Sequence, residues 1–305
     1  MAEHLSQSEL DYPFKLLEYF NGFRVSKVIF SACELGVFDL LTTSPCALSA
    51  QQVAQALHAS VDGTERLLDA LVGIEILHVE TQAEDGTALY SSTEVAGMYL
   101  AKGGAKSLHD MAIYQSQTIY PLWNNMVDAV REGNNQNQKL FGIPPEEVFQ
   151  AVYRSDEEML KFMGLMNSSW VLDGYDVVMA FSLAGFRNIV DLGGDFFHGE
   201  LPVADLYVLA RILHDWSEDK CVTLLKRICD VCEPGGGGVL LVEATLLESR
   251  RGPVQAQLFS LSMLVQTEGR ERPPSQYARM LRQSGFRDVQ VCRTGKTYDA
   301  ILALK

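Results

Sequence analysis

Basic side chains are scarce beside acidic ones: the 305 residues hold 25 Lys and Arg against 39 Asp and Glu, a net charge of −14. A nucleic acid is bound through a basic surface that displaces its counterions, and no Lys/Arg cluster or stripe is present, so no nucleic-acid partner is expected. Long apolar runs are missing too. The amino terminus, MAEHLSQSEL, has no basic patch followed by an apolar core, and later apolar runs are broken by Glu243 or by glycine, so neither a signal peptide nor a membrane span is read. Cysteine is sparse. Cys33, Cys46, Cys221, Cys229, Cys232 and Cys292 lack a secretory context, which predicts reduced thiols and a cytoplasmic location. Cys229 and Cys232 form a C-x-x-C with no second pair and no nearby histidine; they read as the end of an amphipathic helix rather than a metal or redox site. What is plentiful is apolar residues, 47% of the chain, enough for a sizeable core.

Within residues 12–41, Phe14, Leu17, Phe20, Phe23, Val25, Val28, Ile29, Ala32 and Leu35 recur at helical spacing and leave the helix apolar on more than one face. Such a segment packs inside its own domain or against a partner subunit. Ser49 stands where it would cap the next helix, with Gln52 closing the box from the third position. Residues 61–76 read as a further helix, and 78–80 and 89–90 as short strands around the turn Glu84-Asp85-Gly86. Helices followed by a hairpin make a winged-helix pattern. Its DNA-reading form needs Lys and Arg on the second or third helix, whereas 61–77 offers only Arg66, so a structural or dimerising role is expected.

Lys102-Gly103-Gly104 marks a boundary between a winged-helix-like dimerisation domain, 1–104, and a second domain, 105–305. Helical patterns at 111–132 (broken at Pro121), 145–153 and 157–180 come next. From Asn188 the texture becomes strand, loop, helix, strand. Residues 188–192 form a strand ending in Gly193-Gly194, and 205–210 form a second. Ser217 caps a helix with Glu218 and Asp219 in its first turn, which Pro234 and the glycines at 235–238 stop, and 239–242 form a buried strand. A helix at 274–284, ended by Gly285, precedes a hairpin of 289–293 and 298–304. A mostly parallel sheet closing in a hairpin is an α/β fold with helices on both faces.

Ligands of such sheets sit at the carboxyl ends of the strands, so the residues just after each strand carry the functional reading. Three places stand out: Gly193-Gly194-Asp195, the run from Arg211 to Trp216, and Glu243. His214 is the sharpest candidate. It follows a strand end and precedes a helix cap, with carboxylates at Asp215 and Glu243 to hold an imidazole that acts as a general base. A metal site has less support, since no second His or Cys stands at ligand spacing. Gly193-Gly194 is an interrupted dinucleotide fingerprint: the helix and the second strand ending in an acid do not follow it.

Several motifs together resemble the class I S-adenosylmethionine-dependent methyltransferases, and among them the small-molecule O-methyltransferases. They are Asn21-Gly22-Phe23, the run from Ala32 to Leu41, Tyr153-Arg154-Ser155, Val190-Asp191-Leu192-Gly193-Gly194, the run from Leu206 to Trp216, Pro234-Gly235-Gly236-Gly237, and the run from Leu264 to Arg272. The resemblance implies a Rossmann-like methyltransferase sheet with an N-terminal helical winged-helix dimerisation domain, S-adenosyl-L-methionine as cofactor, N-acetylserotonin as the methyl acceptor, melatonin as product, and a homodimer. One departure stands out. Between Gly193 and Asp195 roughly 40 residues of the family pattern, about one βαβ crossover and its continuation, are absent, so the sheet is expected to lack part of its first half. An omission with both flanks intact reads as a skipped exon or a gene-assembly artefact.

By the same resemblance His214 is the base that takes the hydroxyl proton, with Glu243 and Glu271 orienting it; Asp215, Ser262 and Gln266 contact the acceptor; and Tyr153, Trp170, Gly194, Asp195, Phe196 and Arg211 surround the cofactor. No metal is implied. The acidic residue for the ribose and the glycine loop for the methionine part fall in the absent stretch, so impaired catalysis is expected. The alternative is an inactive variant that dimerises with, and modulates, a full-length chain.

Overall fold

The structure, a computed structural model, describes residues 7–82, 86–193, 196–233 and 235–305. The chain forms two compact units, one of residues 1–118 with 160–169 and the other of 119–159 with 170–305.

The first unit opens with helices α1 (Gln7–Leu35) and α2 (Val37–Thr43). Gly36, at a φ of 80°, separates them, because the left-handed turn there suits a residue without a Cβ. Strand β1 (Leu48–Ser49), helices α3 (Ala50–Ala56) and α4 (Val61–Gly73), strands β2 (Leu77–Thr81) and β3 (Ala88–Ser92), and helices α5 (Glu94–Tyr99) and α6 (His109–Tyr114) follow. The capping box expected at α3 is present in both halves: the Ser49 hydroxyl accepts from the Gln52 N–H, and the Gln52 amide oxygen accepts from the Ser49 N–H. The expected hairpin pairs antiparallel from Leu77 opposite Ser92 to Thr81 opposite Ala88, and β1 adds a third strand on β3. Glu84 and Asp85 of its turn lie outside the described residues. Ala32, Val37, Phe38, Leu68, Leu71 and Tyr90 form the core of this unit. By contrast Tyr12, Phe14, Leu17, Tyr19, Phe20 and Phe23 of α1 are at least half exposed in the single chain.

The second unit begins with short helices, α7 (Tyr120–Trp123), α8 (Met126–Glu132), α9 (Asn137–Phe141) and α10 (Val148–Val152). The helical pattern over 111–132, expected to break at Pro121, runs on through a π-helical turn at Gln115–Ile119 and through Pro121, in the first turn of α7, and is interrupted instead at Asn124-Asn125. Helix α11 (Asp156–Val178) is capped by Ser155 and leads to β4 (Ile189–Asp191), β5 (Leu206–Ala210), α12 (Glu218–Val231), β6 (Gly238–Glu243), α13 (Val254–Gln266), α14 (Pro274–Gln283), β7 (Arg287–Cys292) and β8 (Asp299–Leu304). Ser217 occupies the N-cap of α12 as expected, yet its side chain makes no capping bond. Instead Glu268 accepts the Ser217 N–H at 3.2 Å.

The sheet order is β4-β5-β6-β8-β7, parallel from β4 to β6 and antiparallel across β8 and β7. All six residues of β6 are buried, as a central strand covered on both faces requires. Val239 and Leu241 face Leu224, Ile228, Tyr277 and Leu281 of α12 and α14, while Leu240 and Val242 belong to the opposite layer with Val177 and Ala256. Cys229 and Cys232, the last turn and cap of α12, are buried in the first of these layers, and all six cysteines are free.

At the other end the sheet stops early. β4 is an edge strand, Ile189 is 49% exposed, and the parallel connection from β4 to β5 is the segment 192–205, which contains no helix among its described residues. Parallel strands are ordinarily joined through a helix that covers the sheet. The expected gap in the first half of the sheet is therefore visible as an uncovered edge.

Candidate active site

Two strand ends and one loop build the site, all within the second unit. β5 ends at Ala210, and Arg211, at a φ of 60°, turns the chain out of the strand while its N–H stays bonded to the Val242 carbonyl at 2.8 Å. A single 3₁₀ turn, Leu213–Asp215, then carries His214. The neighbouring strand β6 ends in Glu243, which is wholly buried, and the loop ahead of α14 supplies Glu271, 3% exposed.

The imidazole faces all three expected acids. Its Nδ1 lies 3.0 Å from Glu243 Oε2 and 3.3 Å from Glu271 Oε1, and its Nε2 lies 3.6 Å from Asp215 Oδ1. The Glu243 contact is an ion pair rather than an aligned hydrogen bond. The other oxygen of Glu243 accepts the Leu213 N–H at 2.8 Å, which ties the strand end to the turn.

Burial by itself would lower the His214 pKa, but the charges of Glu271, Glu243 and Asp215 outweigh it and raise it to about 10. Burial pushes Asp215 up to about 6, against the pull of the His214 cation. Burial likewise lifts Glu271 to about 8, again opposed by His214. The imidazole and Glu271 both hold protons more tightly than usual, and their titration belongs to the group rather than to either residue. Among the described residues, His214, Glu243 and Glu271 are also the set whose donor atoms come within 4.8 Å of one another, close enough to hold a metal ion.

Aromatic rings flank this cluster. Phe149 stacks on Tyr153 at 5.8 Å and on Trp216 at 5.2 Å, and Trp216 meets the edges of Phe196 at 6.3 Å and Phe197 at 4.9 Å. Tyr153 feels the charge of Asp215, which, after burial, raises its pKa. The Arg211 guanidinium lies 6.0 Å from the Trp170 ring and 5.5 Å from that of Tyr298, and its charge acts on Asp215.

Tyr153, Trp170, Phe196 and Arg211 are thus linked to the His214 turn through rings and charge, while Gly194 and Asp195 lie outside the described residues. Ser262 and Gln266 are engaged elsewhere. The Ser262 hydroxyl accepts from Trp123 Nε1 at 3.2 Å, and the Gln266 amide donates to the Ser262 carbonyl at 3.0 Å. Sequence reasoning named no role for Phe149, Trp216, Gly269 or Arg272. Trp216 could have been found from its place beside His214-Asp215; the others come into range only through folding.

A buried imidazole between carboxylates at the carboxyl ends of parallel strands, beside aromatic rings, lies where doubly wound sheets bind their ligands. The chain belongs to the O-methyltransferase family: residues 123–195 and 193–287 match the O-methyltransferase domain, and residues 17–102 match the O-methyltransferase dimerisation domain. The first match comes in two pieces that meet at 193–195, where the expected omission lies. The chain is 46% identical to acetylserotonin O-methyltransferase of Gallus gallus, over 98% of this chain and 99% of that one, and 43% identical to that of Homo sapiens, over 98% and 99%. The Gallus gallus alignment spans 347 positions, more than the 305 residues present here. Among solved structures, human N-acetylserotonin methyltransferase in complex with SAM superposes with a TM-score of 0.93 at 43% identity, covering 100% of this chain and 99% of that one.

Proposed function

We propose that the chain transfers a methyl group from S-adenosylmethionine to the hydroxyl of N-acetylserotonin, giving S-adenosylhomocysteine and melatonin, with His214 as the base. The observation that carries the reading is the imidazole whose Nδ1 is held by Glu243 and Glu271, leaving Nε2 as the proton-accepting atom. A phenol-like hydroxyl titrates near pKa ~10. A base whose conjugate acid titrates in the same range takes that proton without a large uphill step, and such bases contribute roughly 10²- to 10⁴-fold. Asp215, 3.6 Å from Nε2, is placed to orient the acceptor.

The residues present fit the methyl-donor end of the cofactor: aromatic faces beside buried carboxylates suit a sulfonium cation. Tyr153, Trp170, Phe196 and Arg211 would hold it. When bound, S-adenosylmethionine supplies a methyl group already activated on sulfur. What this chain adds is alignment of the hydroxyl, exclusion of water by the rings, and removal of the proton at His214 Nε2.

The ribose side is poorer. β4 is the edge of the sheet, a Cβ added at Gly193 would meet nothing within 4 Å, and no described strand lies beyond to offer an acid. Cofactor binding is therefore weaker than in a chain carrying the absent segment, and transfer slower. Transfer of labelled methyl to N-acetylserotonin, measured for both chains, tests the reading. Restored activity in the lengthened chain supports it, and its failure to transfer methyl to any phenolic acceptor refutes it.

The exposed Leu17, Tyr19, Phe20 and Phe23 of α1, in the stretch matching the dimerisation domain, support a homodimer built through a winged-helix-like N-terminal domain. The same observation favours a second reading, in which the chain pairs with a full-length subunit and lowers its activity. Co-expression that yields no mixed dimers excludes it. Among the described residues no helix is long and apolar enough to cross a membrane, and the six cysteines are free; a cytoplasmic location is part of the same proposal.

A further inference from the structure

We propose that Arg272 is a positioning residue for the base, acting with Gly269 as a clasp that fixes the turn carrying His214; this rests on the reading of His214 as the base. Arg272 is 1% exposed and is among the largest fully buried side chains. One guanidinium nitrogen donates to the Leu213 carbonyl at 2.8 Å and to the Arg270 carbonyl at 3.1 Å, while the other donates to the Trp216 carbonyl at 2.6 Å. The two carbonyls flanking His214 and Asp215 are thus held by one planar cation.

Leu213 is gripped from both sides, its N–H by Glu243 and its carbonyl by Arg272. Gly269, in the same loop, closes the contact: a Cβ there would lie 2.0 Å from the His214 carbonyl oxygen and 2.5 Å from the Asp215 carbonyl carbon. Glu271, between them in sequence, reaches the ring itself.

Burying a guanidinium is costly unless its donors are satisfied. The pairing satisfies both terminal nitrogens of Arg272, though not its Nε, and adds a charged donor to carbonyls that otherwise, among the described residues, accept only from the Trp216 N–H and the Cys221 thiol. It also explains the residue type, since a planar fork spans two carbonyls whereas an ammonium on a flexible stem holds one at a time. The consequence falls on the ring. Glu243 comes from β6, Glu271 from the loop before α14, and Asp215 from the turn itself, with Arg211 acting on Asp215. A turn that slips takes His214 away from the two glutamates on the other elements.

The test is an NMR pH titration of the His214 ring, its signal assigned by loss in His214→Asn, in the chain without cofactor or acceptor. It is compared in Arg272→Met, Arg272→Lys and Gly269→Ala, with Leu302→Ala, in the opposite core layer, as a destabilised control. Arg272→Met and Gly269→Ala are expected to lower the midpoint by about one unit or more as the acids lose the ring. Arg272→Lys recovers part of the shift, and Leu302→Ala lowers stability without moving the midpoint. An unchanged midpoint in folded Arg272→Met overturns the proposal. If that variant does not fold, an unchanged midpoint in both Arg272→Lys and Gly269→Ala overturns it equally. Because the titration needs neither methyl donor nor acceptor, its failure is separate from failure of the methyltransferase reading.

Discussion

His214, Glu243, Glu271 and Asp215 each bear on the others' protons, so their titration is a property of the group. Deprotonation of the imidazole is pushed up to about 10. Turnover limited by proton removal is therefore expected to climb between pH 7 and 9, and a flat rate profile would detach His214 from the proton transfer. Replacing Glu271 by Gln removes the strongest of the charges that raise His214. The climb should then move to lower pH, with the maximum rate falling by about 10-fold or more, since the ring also loses an orienting partner. Stability follows the same protons. Asp215, Glu271 and His214 hold theirs more tightly when folded, with values raised from 3.8 to about 6, from 4.5 to about 8 and from 6.5 to about 10. Unfolding then releases protons, so stability is greatest below the ordinary values and declines as pH rises through the raised ones. Thermal melts from pH 5 to 9 check this: the melting temperature should fall, and fall less in Glu271→Gln.

At the scale of elements, most of what was legible was periodic. The box of Ser49 and Gln52 is a local arrangement that two side chains complete within one turn, and it formed as read. Ser49→Ala should cost about 1 kcal/mol in chemical denaturation, while β6, covered on both faces, is far less tolerant. Leu241→Ala there should cost about 2–5 kcal/mol. The pattern over 111–132 is interrupted after Trp123 rather than at Pro121, where the break was expected, because Pro121 sits in the first turn of α7, where its missing N–H leaves no bond unmade, and a π-helical turn joins it to α6. Ser217 marked the start of α12 correctly, yet its capping bond is missing; its N–H is accepted instead by Glu268, a residue whose approach local sequence does not reveal.

The whole molecule poses two questions, one on α1 and one at the β4 edge of the sheet. Phe20 and Phe23 of α1 are 64% and 51% exposed in the single chain, more than a helix of ordinary surface composition leaves bare. Phe20→Asp is expected to halve the molecular mass measured by light scattering, and a wild-type chain that is already monomeric would remove the homodimer. At the sheet edge, insertion of the absent segment should tighten S-adenosylhomocysteine binding by calorimetry at least 10-fold, because it would add a strand and its acid beside β4. Equal affinity for both chains would show that the edge strand is not the weak point.

Sequence by itself determined the α/β class, the gap after Gly193 and the place of His214 just beyond a strand end, since each depends on periodicity or on motifs written contiguously along the chain. Tertiary structure decided the rest. Only folding brings Glu243, Glu271 and Arg272 onto a three-residue turn, and only there does burial strengthen their charges enough to set how tightly the imidazole holds a proton.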